Sequence, residues 1–272
     1  MSQLVVLVTG ASSGIGSATA KYLGRQGYKI ILAARRLERL EEIAEDIRKG
    51  GGEALVIQTD ISRPDQIQNL VDLSIQKFER IDVLVNSAGY GTLRWLDEQS
   101  PEEISHQIQV NLMGAILLSR AVLPGMLSSG KGQIIQIASI ASWVGLPTYS
   151  IYAANKFGLR GFMESFRREL RGTGITVSGV YPGSVDTEFD QHAGIDWEFK
   201  RVTPSWLMVS SEAVARRIHK VIKHRRTFTI IPWIMVAPVL LNAIFPRFVG
   251  WILSKNFYRV GGKTIAWGNE PE

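Results

Sequence analysis

Residues 4–16 read LVVLVTGASSGIG, and the fold turns on how this stretch is read. Leu4–Val8 is a short unbroken run of Leu and Val with no polar face, which suits a strand buried on both sides of a sheet. It leads into Gly10, Gly14 and Gly16, after which an amphipathic helical pattern covers Ser17–Gln26. Glycine permits a tight turn and brings backbone close to a phosphate, and the free N–H groups of the next helix then face the anion. Taken alone, the loop is also compatible with an ordinary glycine turn.

Working outward, further short apolar runs alternate with helical patterns. The predicted strands are Lys29–Ala33, Ala54–Gln58, Val83–Val85, Gln133–Ala138, Thr176–Val180 and Phe228–Ile231. Helices are predicted over Leu37–Lys49, over Asp65–Phe78 with Ser62 or Asp60 as cap, and from the capping box SPEE at Ser100–Glu103 to about Leu123. Two more cover Tyr152–Leu170 and Glu212–Lys223, the latter capped by Ser210 or Ser211. Strand–helix alternation throughout implies an α/β fold, one doubly wound seven-stranded parallel sheet in a single domain. Its core would span residues 1–227, with a lid over about 188–210. Residues 228–272 would add the last strand and an apolar C-terminal extension of the same domain.

Composition narrows the chemistry. The 272 residues include no cysteine, which excludes disulfides, thiolate metal sites and a cysteine nucleophile and permits a reducing compartment. Four histidines, none paired at ligand spacing, argue against a metal site. The net charge is +6, which can serve nucleic acid, an anionic membrane or a polyanionic cofactor. Aromatic and basic residues are not interleaved as in single-strand readers, so no nucleic acid is expected. The basic run Arg216–Arg226 reads as a solvated helix face. "MSQLVVLVTG" lacks the features of a signal peptide, and a cytoplasmic location is expected.

The glycine loop has the form G-x-x-x-G-x-G, and other motifs follow it in order. They are NSAG at Asn86–Gly89, VNLMG with Asn111, QIASIAS with Ser139, the pair Tyr152 and Lys156 one helical turn apart, and YPGSVDT at Tyr181–Thr187. This series resembles the short-chain dehydrogenase/reductase family from about Leu4 to Thr187, and the basic helix and last strand fit as well. Two mild departures are Ser87, where a second asparagine is usual, and Ser142, where glycine is frequent. The resemblance implies a Rossmann-type fold that binds a nicotinamide dinucleotide. It places Gly10, Ser12, Ser13, Gly14, Ile15 and Gly16 at the phosphates, and Asp60 and Ile61 beside the adenine. It adds Asn86, Ala88 and Gly89 after the fourth strand, and Pro182, Gly183, Val185 and Thr187 at the nicotinamide end.

The second strand ends in LAARR. An acidic residue in this zone takes a ribose 2′-hydroxyl, whereas arginine accommodates a 2′-phosphate. Ala34, Arg35 and Arg36 stand here, with no Asp or Glu before Glu38. A guanidinium can stack on adenine and pair with phosphate oxygens. NADP(H) is therefore expected in preference to NAD(H); the other reading is a helix-start arginine pointing to water.

Reducing a carbonyl needs hydride at carbon and a proton at oxygen. A free tyrosine ionises near pH 10, and a neighbouring ammonium favours the phenolate. Tyr152 is therefore expected to be the general acid/base, with Lys156 tuning it and holding the nicotinamide ribose. Ser139 would hydrogen-bond the substrate oxygen, and Asn111, as in the family, would hold a water behind Lys156. The plainer alternatives are a strand-end hydroxyl for Ser139 and a helix kink for Asn111. A non-catalytic nicotinamide-dinucleotide-binding regulator would carry a damaged tetrad, and here all four positions are filled. An NAD-dependent alcohol dehydrogenase of the same fold is the other alternative.

Phe189, Trp197, Phe199, Trp206, Leu207 and Met208 follow the last motif. They suggest a hydrophobic carbonyl or alcohol substrate, or they pack the lid onto the domain. Thr227–Pro246 carries no charge but is broken by Pro232, Pro238 and Pro246. It reads as a strand and a short helix near Val236–Phe245, serving as a packed cap, a subunit contact, or a peripheral membrane or lipid contact through 228–254. The family resemblance implies a homodimer or homotetramer, formed through exposed faces bearing Leu117, Phe162 and Phe166.

Overall fold

The computed structural model describes residues 3–188, 207–260 and 263–266. Most of the predicted lid, including Phe189, Trp197, Phe199 and Trp206, lies outside the described residues. The chain alternates β1 (Val5–Thr9), α1 (Gly14–Arg25), β2 (Lys29–Ala34), α2 (Leu37–Lys49), β3 (Glu53–Gln58), α3 (Pro64–Phe78) and β4 (Val83–Asn86). A helical rod of α4 (Pro101–Ile108), a π-helical turn at Gln109–Gly114 and α5 (Ala115–Ser129) leads to β5 (Gly132–Ile137). Then come α6 (Ser150–Glu169) and β6 (Ile175–Pro182), followed by the short paired strands β7 (Val185–Asp186) and β8 (Val209–Ser210). The chain continues through α7 (Ser211–His224), β9 (Phe228–Ile231), α8 (Val236–Ile244) and α9 (Pro246–Asn256), and ends in the hairpin β10 (Phe257–Val260) and β11 (Lys263–Ala266).

Seven strands form one parallel sheet in the order β3-β2-β1-β4-β5-β6-β9. The unbroken apolar runs follow from its two covered faces, because alternate residues along a strand point to opposite sides. Leu7, Ile31, Leu84, Ile134 and Val177 pack with Leu70, Leu118, Leu159 and Met163 of α3, α5 and α6. Val6, Val8, Ile30, Leu32, Val85 and Ile135 face Leu23, Leu40, Ile43, Val214 and Ile218 of α1, α2 and α7. The direction of winding reverses between β1 and β4, and a crevice opens there at the carboxyl ends of the strands.

Three expectations are corrected. Arg63, not Ser62 or Asp60, occupies the N-cap of α3, and Pro64 opens the helix. Asp60 instead accepts hydrogen bonds from the N–H and hydroxyl of Ser62 at 2.9 and 2.7 Å, closing a local turn. The helix from Ser100 does not stop near Leu123 but runs through Pro124 to Ser129, drawn on by buried Met126. Phe166 is buried in the core, so it does not lie on the exposed face expected for assembly; Leu117 and Phe162 are half-buried, packed against the core.

Candidate active site

The crevice holds a cavity of about 960 Å³. Its floor is the glycine loop. Gly10 has φ +63°, and a Cβ there would sit 2.7 Å from the Ala88 Cα. A Cβ on Gly16 would lie 2.2 Å from the Gly10 carbonyl oxygen. The loop therefore closes on itself and on the end of β4 as only glycine allows. Thr9 Oγ1 locks this contact by accepting from the N–H groups of Ser87 and Ala88, at 3.1 and 3.2 Å. Ser13 caps α1 without a side-chain bond to the helix. The first N–H groups of α1, the positive end of its dipole, are thus left for an anion.

Arg35 and Arg36 edge the cavity beside this loop. Arg36 donates from Nε to Ser12 Oγ at 3.2 Å and from Nη1 to Glu188 Oε2 at 2.9 Å. This helix-start arginine therefore turns back over the glycine loop. Asp60 and Ile61 form the opposite edge. Burial works against the Asp60 carboxylate. The donors of Ser62 and the nearby Arg35 charge outweigh it and hold the carboxyl below the usual range.

The polar cluster sits at the far end, where β5 and α6 meet. Ser139 lies two residues past β5 and caps a short 3-10 turn, its Oγ accepting from the Ala141 N–H at 3.1 Å. The backbone contact of the plainer alternative is thus present, and it leaves the hydroxyl proton to be donated elsewhere. Tyr152 and Lys156 project from one face of α6, as their spacing requires. Lys156 is buried, donates from Nζ to the Ile137 carbonyl at 3.0 Å, and lies 5.5 Å from the centre of the Tyr152 ring. Burial pulls its ammonium down to about 8, so at pH 7 the charged form still predominates about ten to one. Ser139, Tyr152 and Lys156 all line the cavity, as do Pro182, Gly183, Val185 and Thr187.

Two expected residues stand behind the cavity wall. Asn86 is buried and donates to the Ala115 carbonyl at 3.2 Å and to Ser119 Oγ at 3.4 Å, tying β4 to the start of α5. Asn111 lies in the π-helical turn, a break often found at functional sites. Its amide donates to the Tyr90 carbonyl at 2.6 Å and accepts from the Tyr90 N–H at 2.9 Å. Both ends of the amide are therefore engaged with the loop after Gly89, and the direct role shown is to fix that loop. A Cβ on Gly89 would lie 2.9 Å from Asn111 Oδ1 and 3.9 Å from Lys156 Nζ, so all three converge.

Sequence reasoning missed Tyr90, Val144, Leu146 and Tyr149, which also line the cavity. It also left open what the tail does; Met235, Pro238, Leu241, Val249, Ile252 and Leu253 complete the cavity wall. Nothing local in the sequence marks these apolar residues, whereas the charge-free run around them was visible. Among the described residues no group of three or more His, Asp or Glu could hold a metal ion.

The geometry fits a dinucleotide. An open helix end and a glycine cradle suit a pyrophosphate, two guanidiniums edge the adenosine end, and a proton-donating cluster stands at the other. A family model described as short chain dehydrogenase matches residues 4–196. A 3-oxoacyl-[acyl-carrier-protein] reductase of Synechocystis sp. is 37% identical over 189 residues, covering 69% of this chain and 76% of that protein. The chain is similar in structure to a short chain dehydrogenase/reductase from Burkholderia phymatum in complex with NAD. That TM-score is 0.82 at 26% identity, covering 91% of this chain and 95% of the other. A short-chain dehydrogenase from Sphingobium yanoikuyae in complex with NADPH gives 0.78 at 28% identity, covering 95% and 97%.

Proposed function

The chain belongs to the short-chain dehydrogenase/reductase family and is a nicotinamide-dinucleotide-dependent oxidoreductase, and we propose that it prefers NADP(H) and acts on a hydrophobic ketone or secondary alcohol. The observation that carries the reaction is the convergence of Ser139, Tyr152 and Lys156 on one cavity across from the glycine loop. When bound, the nicotinamide supplies or accepts the hydride. Tyr152 gives the proton to the carbonyl oxygen, and takes it back in the oxidative direction. Ser139 donates its hydroxyl proton to the same oxygen and stabilises the charge that develops there. Lys156 favours the phenolate by its charge, with its ammonium held in place by the Ile137 carbonyl. Asn86 and Asn111 position the loop and helix that frame these groups.

The NADP(H) preference is supported by Arg35 and Arg36 at the end of β2, where no carboxylate stands to claim a 2′-hydroxyl. The substrate class is supported by the apolar wall that Leu146, Leu207, Met235, Leu241, Ile252 and Leu253 build. The test is NADPH consumption, with NADH in parallel, against ketones of graded hydrophobicity. Turnover that rises with chain length and favours NADPH is expected. Turnover confined to small polar ketones, or faster with NADH, would overturn the corresponding part.

A further inference from the structure

Helices α8 and α9 are each apolar, and the segments Trp233–Ile244 and Pro246–Lys255 meet at a bend of 110°. The inner side of the pair is fixed to the domain. Val239 is buried, Asn242 Nδ2 donates to the Trp143 carbonyl at 2.9 Å, and Met235, Pro238, Leu241, Val249, Ile252 and Leu253 wall the cavity. The outer side is strongly apolar and exposed: Trp233 is 77% accessible, Ile244 66%, Phe245 57%, Trp251 54% and Leu240 54%. Ordinary soluble surfaces scatter such residues singly and do not gather them on one bent pair of helices.

The charges carried by this part of the chain are of one sign. Between Glu212 and Glu270 the chain has no Asp or Glu, and the helix pair itself carries Arg247 and Lys255. Lys255 Nζ lies 4.3 Å from the Trp251 ring centre. Tryptophans beside cations, flanking an apolar face, match the boundary between headgroups and acyl chains.

We propose that α8 and α9 seat this protein on the surface of an anionic lipid bilayer. The same helices separate the bilayer from the catalytic cavity, so a lipid-soluble carbonyl substrate enters between them without crossing water. This second step rests on the proposed hydrophobic substrate; the docking does not.

The test is co-sedimentation of the full chain with phosphatidylcholine vesicles, with and without about one-third phosphatidylglycerol. Wild type is expected to pellet with the anionic vesicles and much less with the neutral ones, and to be partly released at about 1 M salt, where the Debye length is about 3 Å. The triple variant Trp233→Glu, Ile244→Glu, Trp251→Glu is expected to stay in the supernatant. It should still reduce a water-soluble ketone at the wild-type rate, because none of the three residues lines the cavity, and it should lose reduction of a long-chain ketone dissolved in vesicles. Arg247→Glu with Lys255→Glu should lose the preference for anionic vesicles. Wild type that ignores both vesicle types, or a triple variant that pellets like wild type, would overturn the docking. So would a wild-type dimer that ignores vesicles and becomes monomeric in the triple variant, since a second copy would then cover this face. Vesicle binding without reduction of either ketone would leave the docking standing and overturn the proposed substrate class and, with it, substrate entry from the bilayer.

Discussion

Arg36 and Glu188 stand 152 positions apart in sequence and form an ion pair of 2.9 Å across the mouth of the cofactor crevice. Under the proposed NADP(H) preference, this carboxylate competes with a 2′-phosphate for the guanidinium. Both side chains are well exposed, so the pair is weak and displaceable. Removing the competitor should tighten NADP(H) binding. Glu188→Gln is expected to lower the NADP(H) dissociation constant about two- to fivefold while leaving NAD(H) nearly unchanged, a range set by exposed ion pairs. Calorimetric titration of both cofactors checks it.

Arg35 stands at the same edge and its charge acts on Asp60. Arg35→Asp places a carboxylate where a ribose 2′-hydroxyl can be accepted and a phosphate is repelled. The expected result is a loss of at least about tenfold in NADP(H) affinity, because a charge-assisted contact becomes a repulsion, with NAD(H) affinity held or improved. Equal losses for both cofactors would remove the phosphate role.

Gly16 has no room for a side chain, its notional Cβ falling 2.2 Å from the Gly10 carbonyl oxygen. Gly16→Ala is expected to push the loop out of the crevice and abolish saturable binding of either dinucleotide. The seven-stranded sheet should remain, visible in far-ultraviolet dichroism. Normal cofactor binding by this variant would mean that the loop has another use.

Lys156 links the site to stability. Its ammonium is pulled by burial from 10.5 to about 8. Below about pH 8 folded and unfolded chains both carry the proton, and the fold bears the cost of a buried charge. Between about 8 and 10.5 the unfolded chain holds the proton and the folded chain does not, so stability rises with pH across that window. Lys156→Met lacks this term. The urea midpoint of wild type relative to the variant should therefore move in favour of wild type from pH 7 to pH 9.5. A difference independent of pH would contradict the buried-ammonium assignment.

Much of this site was legible because it depends on local spacing. Gly10, Gly14 and Gly16 needed only a strand before and a helix after. Tyr152 and Lys156 needed only one helical turn. What was not legible depends on partners distant in sequence. β6 extends to Pro182 because Tyr181 and Pro182 pair with Ile230 and Ile231, which the runs themselves do not reveal. The helix from Ser100 was read as ending at about Leu123, but the burial of Met126 carries α5 through Pro124 to Ser129. Asn86 and Asn111 were read as touching cofactor or water; that their side chains also hold the Ala115 and Tyr90 backbone, distant in sequence, was not visible. Phe166 was read as exposed because helix periodicity marks an apolar stripe without saying which neighbour covers it.

The central claim is that Tyr152 transfers the proton. The most direct measurement is single-turnover reduction of a saturating ketone by the NADPH complex of Tyr152→Phe, with NADPH affinity measured on the same sample. Deleting one hydroxyl from a buried ring should leave cofactor affinity within about twofold, and the loss of a general acid should slow the chemical step by at least about a hundredfold. A rate near wild type with cofactor bound would contradict the account and move the proton donor to another group in the cavity.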